Sequence, residues 1–258
     1  MEAERREEAP IIILTVKDQE GNVVRKLKGP ASKGFHRVDW NLRYSAAKAI
    51  DVHSERDDAW SSGLMVVPGK YSVSLSKQID GVTTNLGGAI EFEVVRMRKG
   101  SLKGSPEDEI IAFTKEVKEL RKAVGAASII LKNSIKKTEK MQDAWTRAEA
   151  APGNLEKQIH DLRADLLDLE EKMYGNRSKG EVGEQSPPTI NTRLYFAMGG
   201  TGSTYGPTKS MKESLEMGKK EFAAVKSELE EISNNRIPAL LKALQEAGAP
   251  WMEGMDLD

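Results

Sequence analysis

Between Ser105 and Ala148 apolar residues recur at Ile110, Phe113, Val117, Leu120, Val124, Ala127 and Leu131, and after two polar steps at Met141 and Trp145. The intervals alternate three and four, which draws one continuous stripe down one face of a long helix. Ser105 offers an N-cap, Pro106 suits the first helical position, and Asp108 stands where a capping box places an acid. At 1.5 Å per residue such a helix reaches roughly 65 Å, too long for one small globule to cover, so it needs partner helices. Leu155, Ile159, Leu162, Leu166, Leu169 and Met173 repeat the stripe in a 4-3-4-3-4 pattern beyond a break at Ala150 to Asn154. This second helix is expected to fold back antiparallel on the first.

A short helix using Ile190, Leu194 and Met198 comes next, followed by the Gly-rich loop 199–207 and a Thr208 cap. A third long helix then carries Met211, Leu215, Phe222, Val225, Leu229 and Ile232. Pro238 lacks the N–H that a helix needs from it, so a kink or interruption is expected near Asn234. Leu240, Leu241 and Leu244 resume the stripe before Gly248-Ala-Pro250-Trp251 ends it.

Before Ser105 the period changes from 3.6 to 2. Ile11 to Val16 is a β-branched run, and Asp18-Gln-Glu-Gly-Asn22 turns into Val23 to Leu27, a hairpin pattern. From His36 to Arg43, Val38, Trp40 and Leu42 alternate with polar residues. Tyr71, Val73 and Leu75 alternate with three serines, and Ile90, Phe92 and Val94 alternate with Glu91 and Glu93. Short strands with turn signals at this spacing predict an antiparallel β-sandwich of immunoglobulin-like type. The expected fold class is therefore α+β in two segregated parts. A charged lead-in (1–9) precedes a sandwich (10–98). A linker (99–104) then leads to an elongated three-helix antiparallel bundle (105–252) that includes the Gly-rich loop.

Composition narrows the function classes. The 258 residues hold 39 Lys and Arg against 40 Asp and Glu, so no net charge draws the chain to nucleic acid. No apolar run approaches the roughly 20 residues of a membrane span, and Met1 to Pro10 lacks the apolar core of a signal peptide. With no cysteine, disulfide and thiol chemistry are excluded.

The order Thr15-Val-Lys-Asp18, Glu20-Gly-Asn-Val-Val-Arg25, Gly34-Phe-His-Arg-Val-Asp-Trp-Asn-Leu-Arg43 and Val67-Pro-Gly-Lys-Tyr71 resembles the small β-sandwich that follows the propeller in bacterial sortilin-like, BNR-repeat proteins, often labelled glycosyl hydrolases. It is similar, more distantly, to the sandwich of the flagellar hook-capping protein. Pro187-Pro-Thr-Ile190, Gly206-Pro-Thr208, Glu221-Phe222 and Ala247-Gly-Ala-Pro-Trp251 resemble the helical tail of the same propeller family. The resemblance covers roughly Pro10 to Gly254, in order. It implies export from the cytoplasm for the full-length protein and a propeller domain as partner. The propeller itself is absent here, so the hydrolase label has no residue in this chain to rest on. The family's further strand before the charged segment is also missing, which implies a fragment.

Candidate chemistry is sparse. Gly199-Gly-Thr-Gly-Ser-Thr-Tyr-Gly206 with Lys209-Ser210 beyond it echoes a phosphate loop. That motif wants a preceding strand and a contiguous Gly-Lys-Ser/Thr, and Pro207-Thr208 intervenes. Asp51, His53, Glu55, Asp57 and Asp58 offer oxygen ligands, yet no glycine supplies the turn of a calcium loop. His36, His53 and His160 lie on a strand, a loop and a helix, a spacing that makes no zinc set. Trp40 and Trp145 read as core, and Trp60 and Trp251 are less constrained. Lys132, Lys136, Lys137 and Lys140 read as a solvated helix face. The expectation is a chain without catalytic, cofactor-binding or metal-binding residues, which scaffolds or makes protein contacts. A homo-oligomer through the helices is one possible form. The rival expectation gives the loop Ser45 to Ser62 a share in a hydrolase or carbohydrate cleft that a propeller completes.

Overall fold

The structure, a computed structural model, describes residues 8–54, 60–97, 100–150, 153–203 and 205–257. The lead-in 1–7, Glu55, Asp57 and Asp58 of the acidic loop, Lys99 of the linker and Pro152 of the helix break lie outside the described residues. The fold is α+β, with antiparallel sheets followed by several helices. The chain divides into two compact units. The first contains 1–47, 52–118 and 200–207. The second contains 48–51, 119–199 and 208–258.

In the first unit, β1 (Ile11–Asp18), β2 (Val23–Gly29), β5 (Gly69–Ile79), β6 (Val82–Asn85) and β7 (Ile90–Val94) form one antiparallel sheet in the order β2-β1-β5-β6, with β7 also on β5. The short strands β3 (Arg43–Ser45) and β4 (Ser62–Met65) pair with each other as a second sheet. The β1–β2 turn is held by the Asp18 carboxylate, which accepts N–H bonds from Glu20 (3.1 Å) and Asn22 (2.8 Å). Asx side chains close turns by this bond. Val16, Val24, Val66 and Tyr71 make the buried core, with Trp40, Tyr44, Val73, Phe92 and Val94 packed on it.

Two sequence expectations are corrected here. Residues 36–42 form no strand, and Leu42 is exposed at φ 55° rather than turned inward with Trp40. Its carbonyl instead accepts the Val66 N–H at 2.8 Å, so the backbone turns at the residue that alternation assigned to the core. On β5, Tyr71 is buried but Leu75 is 39% exposed, while Ser76 is buried. Leu75 does lie on the same face as Tyr71, but the packing around Val66 does not extend that far. Ser76, on the other face, pairs with Ile13 of β1 and Asn85 of β6, and its hydroxyl donates to the Ile13 carbonyl at 3.4 Å.

The helices are α1 (Glu107–Trp145), α2 (Leu155–Tyr174), the one-turn α3 (Arg177–Glu181), α4 (Ile190–Met198), α5 (Lys209–Glu231) and α6 (Ile237–Glu246). The first intrahelical bond of α1 is accepted by Pro106 (Ile110 N to Pro106 O, 3.1 Å), one residue past the Ser105 cap that the sequence suggests. Every stripe residue from Ile110 to Leu131 is buried, and so is the whole α2 stripe. The two polar steps of α1 are Ser134 and Thr138, both buried. Thr138 donates its hydroxyl to the Ile135 carbonyl at 2.7 Å, so it enters the core without an orphaned donor. On α4, Ala197 rather than Met198 completes the buried face.

In the second unit, Arg163 reaches Glu139 (3.4 Å) and the Tyr174 hydroxyl meets Ser128, which runs α2 opposite to α1. Lys172 to Glu228 (3.4 Å) and Arg236 to Asp165 (2.7 Å) run the α5 end opposite to α2. Between α5 and α6 the chain does not break. Residues 232–236 widen into a π turn in which Ile237 N–H bonds Ile232 O. An extra residue per turn accommodates the missing N–H of Pro238 and lets Leu240, Leu241 and Leu244 stay buried.

Candidate functional site

Among the described residues of the first unit, polar and aromatic groups gather around Arg25, Tyr44 and Tyr71. Arg25 is carried inward by β2 at a bulge. Its neighbour Val24 is the extra residue between the pairs Val16–Arg25 and Lys17–Val23. Such a bulge re-aims the side chains beside it. Among the described residues the buried guanidinium meets no carboxylate. It donates to three backbone carbonyls, those of Trp60, Ser61 and Tyr44, the last at 3.4 Å, and its Nε has no partner among the described residues. Desolvation by burial pulls its pKa below the ordinary value; guanidinium remains a cation at any physiological pH. Arg25 thus ties both ends of the long loop, at Tyr44 and at Trp60-Ser61, to the larger sheet.

Beside it, Trp40, Tyr71 and Phe92 form a three-ring cluster. Trp40 stands edge-on to both partners (centroids 5.6 and 6.0 Å), and Tyr71 stacks on Phe92 at 6.1 Å. The Tyr71 hydroxyl donates to the Val67 carbonyl, four residues upstream, at 2.6 Å. Its pKa is pushed up to about 12, first by burial and then by the nearby Tyr44 and Asp18 charges. Burial, and then Asp18, also raises Tyr44, over whose ring the Lys118 ammonium sits 5.0 Å from the centroid. These are groups fixed by packing and by carbonyl bonds. None is arranged as a nucleophile with its base.

Asp51 groups with the second unit, its carboxylate 3.9 Å from Lys132, whereas Trp60 belongs to the first unit and is half-buried, its carbonyl held by Arg25. His36 bonds the Ser32 carbonyl at 2.7 Å through Nε2, and His160 is exposed beside Asp161. Among the described residues no three His, Cys, Asp or Glu side chains are placed to hold a metal ion. The Gly-rich loop follows a helix, α4, not a strand. Thr208 caps α5 by accepting the Met211 N–H at 3.3 Å, and Lys209 turns to Glu213 at 3.7 Å. Trp251 is exposed. No described helix is long and apolar enough to cross a membrane.

Nothing in the residue pattern announced the Arg25 clamp. Arg25 occupies a polar step of β2, and its acceptors lie 19 to 36 residues away in backbone that carries no side-chain signature. Compared with known protein-family models, curated proteins and solved structures, the chain finds no match.

Proposed function

We propose that this chain is a non-catalytic accessory region of an exported propeller protein, an immunoglobulin-like sandwich followed by a three-helix antiparallel bundle, whose work is domain packing or protein contact. The observation that carries this reading is an uncovered apolar end of the larger sheet. Leu75, Ile79 and Ile90 are exposed on the face that buries Tyr71, with Val82 and Leu86 exposed beside them, and Ile12, Leu14 and Leu27 are half-buried on the same face. Soluble chains rarely leave a contiguous apolar area of this kind open unless something docks there. The occupant proposed is the propeller domain that the sequence resemblance implies.

Two further features support the finer fold. The Tyr71 hydroxyl bond to Val67, four residues upstream, has the form of the tyrosine corner found in immunoglobulin-like sandwiches. The opposed directions of α1 against α2, and of α2 against α5, are those of an antiparallel bundle. The reading is tested by expressing the chain and the propeller encoded in the same reading frame as separate pieces and measuring their association. Tight binding is expected, weakened at least tenfold by Leu75→Asp with Ile90→Asp in a chain whose circular dichroism is unchanged. A reading frame without a propeller, or binding indifferent to both substitutions, would overturn it.

A further inference from the structure

The two outer edges of the larger sheet carry opposite charges on one face. The sheet ends at β2 on one side and at β6 and β7 on the other. Pairing fixes which residues share a face. Lys26 lies across from Thr15, and Thr15 from Ser74. Lys28 lies across from Ile13, and Ile13 from Ser76. Glu91 lies across from Ser72 and Glu93 from Lys70. Ser72, Ser74 and Ser76 point the same way along β5, because side chains alternate with period two. Lys26 and Lys28 at one rim therefore stand on the same face as Glu91 and Glu93 at the other. All four are exposed. On the opposite face the β2 rim presents Leu27 and Gly29, and the β7 rim presents Ile90, 69% exposed, and Phe92.

We propose that a second copy of this chain docks by strand addition, with β2 of one copy against β7 of the next. Directions agree with this. β1 runs opposite to β2 and to β5, and β7 runs opposite to β5, so β2 and β7 run opposite ways within one sheet. A copy placed alongside by translation then sets β2 antiparallel to β7 and keeps the polar face polar and the apolar face apolar. One register satisfies both faces: Lys26 opposite Glu93, Lys28 opposite Glu91, Leu27 opposite Phe92 and Gly29 opposite Ile90.

Charged residues on an edge strand usually keep copies apart, because identical edges repel. Here two lysines on one edge and two glutamates on the other repel only like edges and attract unlike ones. Opposite charges directly across a strand pair are favourable, and the main chain supplies the rest of the adhesion, as in other strand-addition contacts. The contact is head-to-tail, so each added copy leaves the same two edges open, and growth continues to a ring or a filament. This inference rests on the strand pairing alone and stands or falls apart from the propeller reading.

The test is sedimentation of the intact chain over a range of concentrations, with charge-reversed variants. Wild type is expected to associate beyond the dimer. Glu91→Lys with Glu93→Lys carries two basic edges, and Lys26→Glu with Lys28→Glu two acidic ones, so each alone is expected to self-associate at least tenfold more weakly. Mixing the two restores association, because every edge then finds its opposite. The chain has no cysteine of its own, so Lys28→Cys in one preparation and Glu91→Cys in another give a second readout, with a disulfide that forms on mixing and not within either alone. A wild-type monomer at all concentrations, a closed dimer, undiminished association of the reversed variants, or failure of the mixture to associate would each overturn the proposal.

Discussion

Leu166 and Leu167 are adjacent on α2 and identical in chemistry, yet one is fully buried and the other 39% exposed. Truncating each to alanine isolates what the helical stripe contributes. Leu166→Ala removes three carbons from a closed interior between Leu162 and Leu169, and such truncations cost about 3–4 kcal/mol when the site cannot collapse. Leu167→Ala gives up only part of one side chain's burial, about 1 kcal/mol or less, offset by a few tenths from alanine's better helix propensity. The difference, about 2–3 kcal/mol between neighbours 100° apart on the helix, is the quantity to measure. Urea unfolding followed by circular dichroism at 222 nm reads it directly. At about 2–4 °C per kcal/mol for a unit of this size, Leu166→Ala should melt roughly 6–16 °C below wild type. Equal losses for the two variants, or a loss under about 1 kcal/mol for Leu166→Ala, would refute the packing assigned to α2.

Two other outcomes follow from the first unit. Because the folded-state pKa of Tyr71 is raised to about 12, its contribution to stability is complete below about pH 10, the ordinary tyrosine value, and is lost as pH rises from there through about 12. Tyr71→Phe, which also deletes the bond to Val67, should cost about 1 kcal/mol at neutral pH. It should also flatten the alkaline loss seen in pH-dependent urea midpoints, and an unchanged slope would contradict the assignment. Gly206 has φ 82°, and a Cβ there would stand 2.8 Å from the Ser105 Cβ and 3.0 Å from the Ile110 Cγ1, so Gly206→Ala is expected to destabilise by more than the roughly 1 kcal/mol of the left-handed conformation alone. Thermal melting checks it, and a neutral result would mean that the Ser105–Gly206 approach is looser than described.

The helical stripes were legible because burial on a helix is written in spacing. Every apolar position from Leu155 to Met173 that the 4-3-4-3-4 pattern marked is buried, and Thr208 was marked as a cap by its place before the stripe. Strand periodicity carried less. It told which residues share a face with Tyr71, and on β5 and β7 the pairing agrees. Alternation cannot say whether anything lies over that face, so Leu75 looked like core although nothing in the described structure buries it. For the same reason the edge charges were visible as letters, while their placement on one face needed the register through β1 and β5. Pro238 announced an interruption, but the sequence could not choose between a break and the π turn that keeps α6 in line with its buried leucines.

Local chemistry therefore settled where helices and turns form, because caps, periodicity and proline act within a few residues of themselves. Only the tertiary structure decided what those elements meet. The acceptors of Arg25 are main-chain oxygens brought from residues 44, 60 and 61, and main-chain oxygens are the same at every position. A contact made to a group that all residues share leaves no trace in the identity of the residue that provides it.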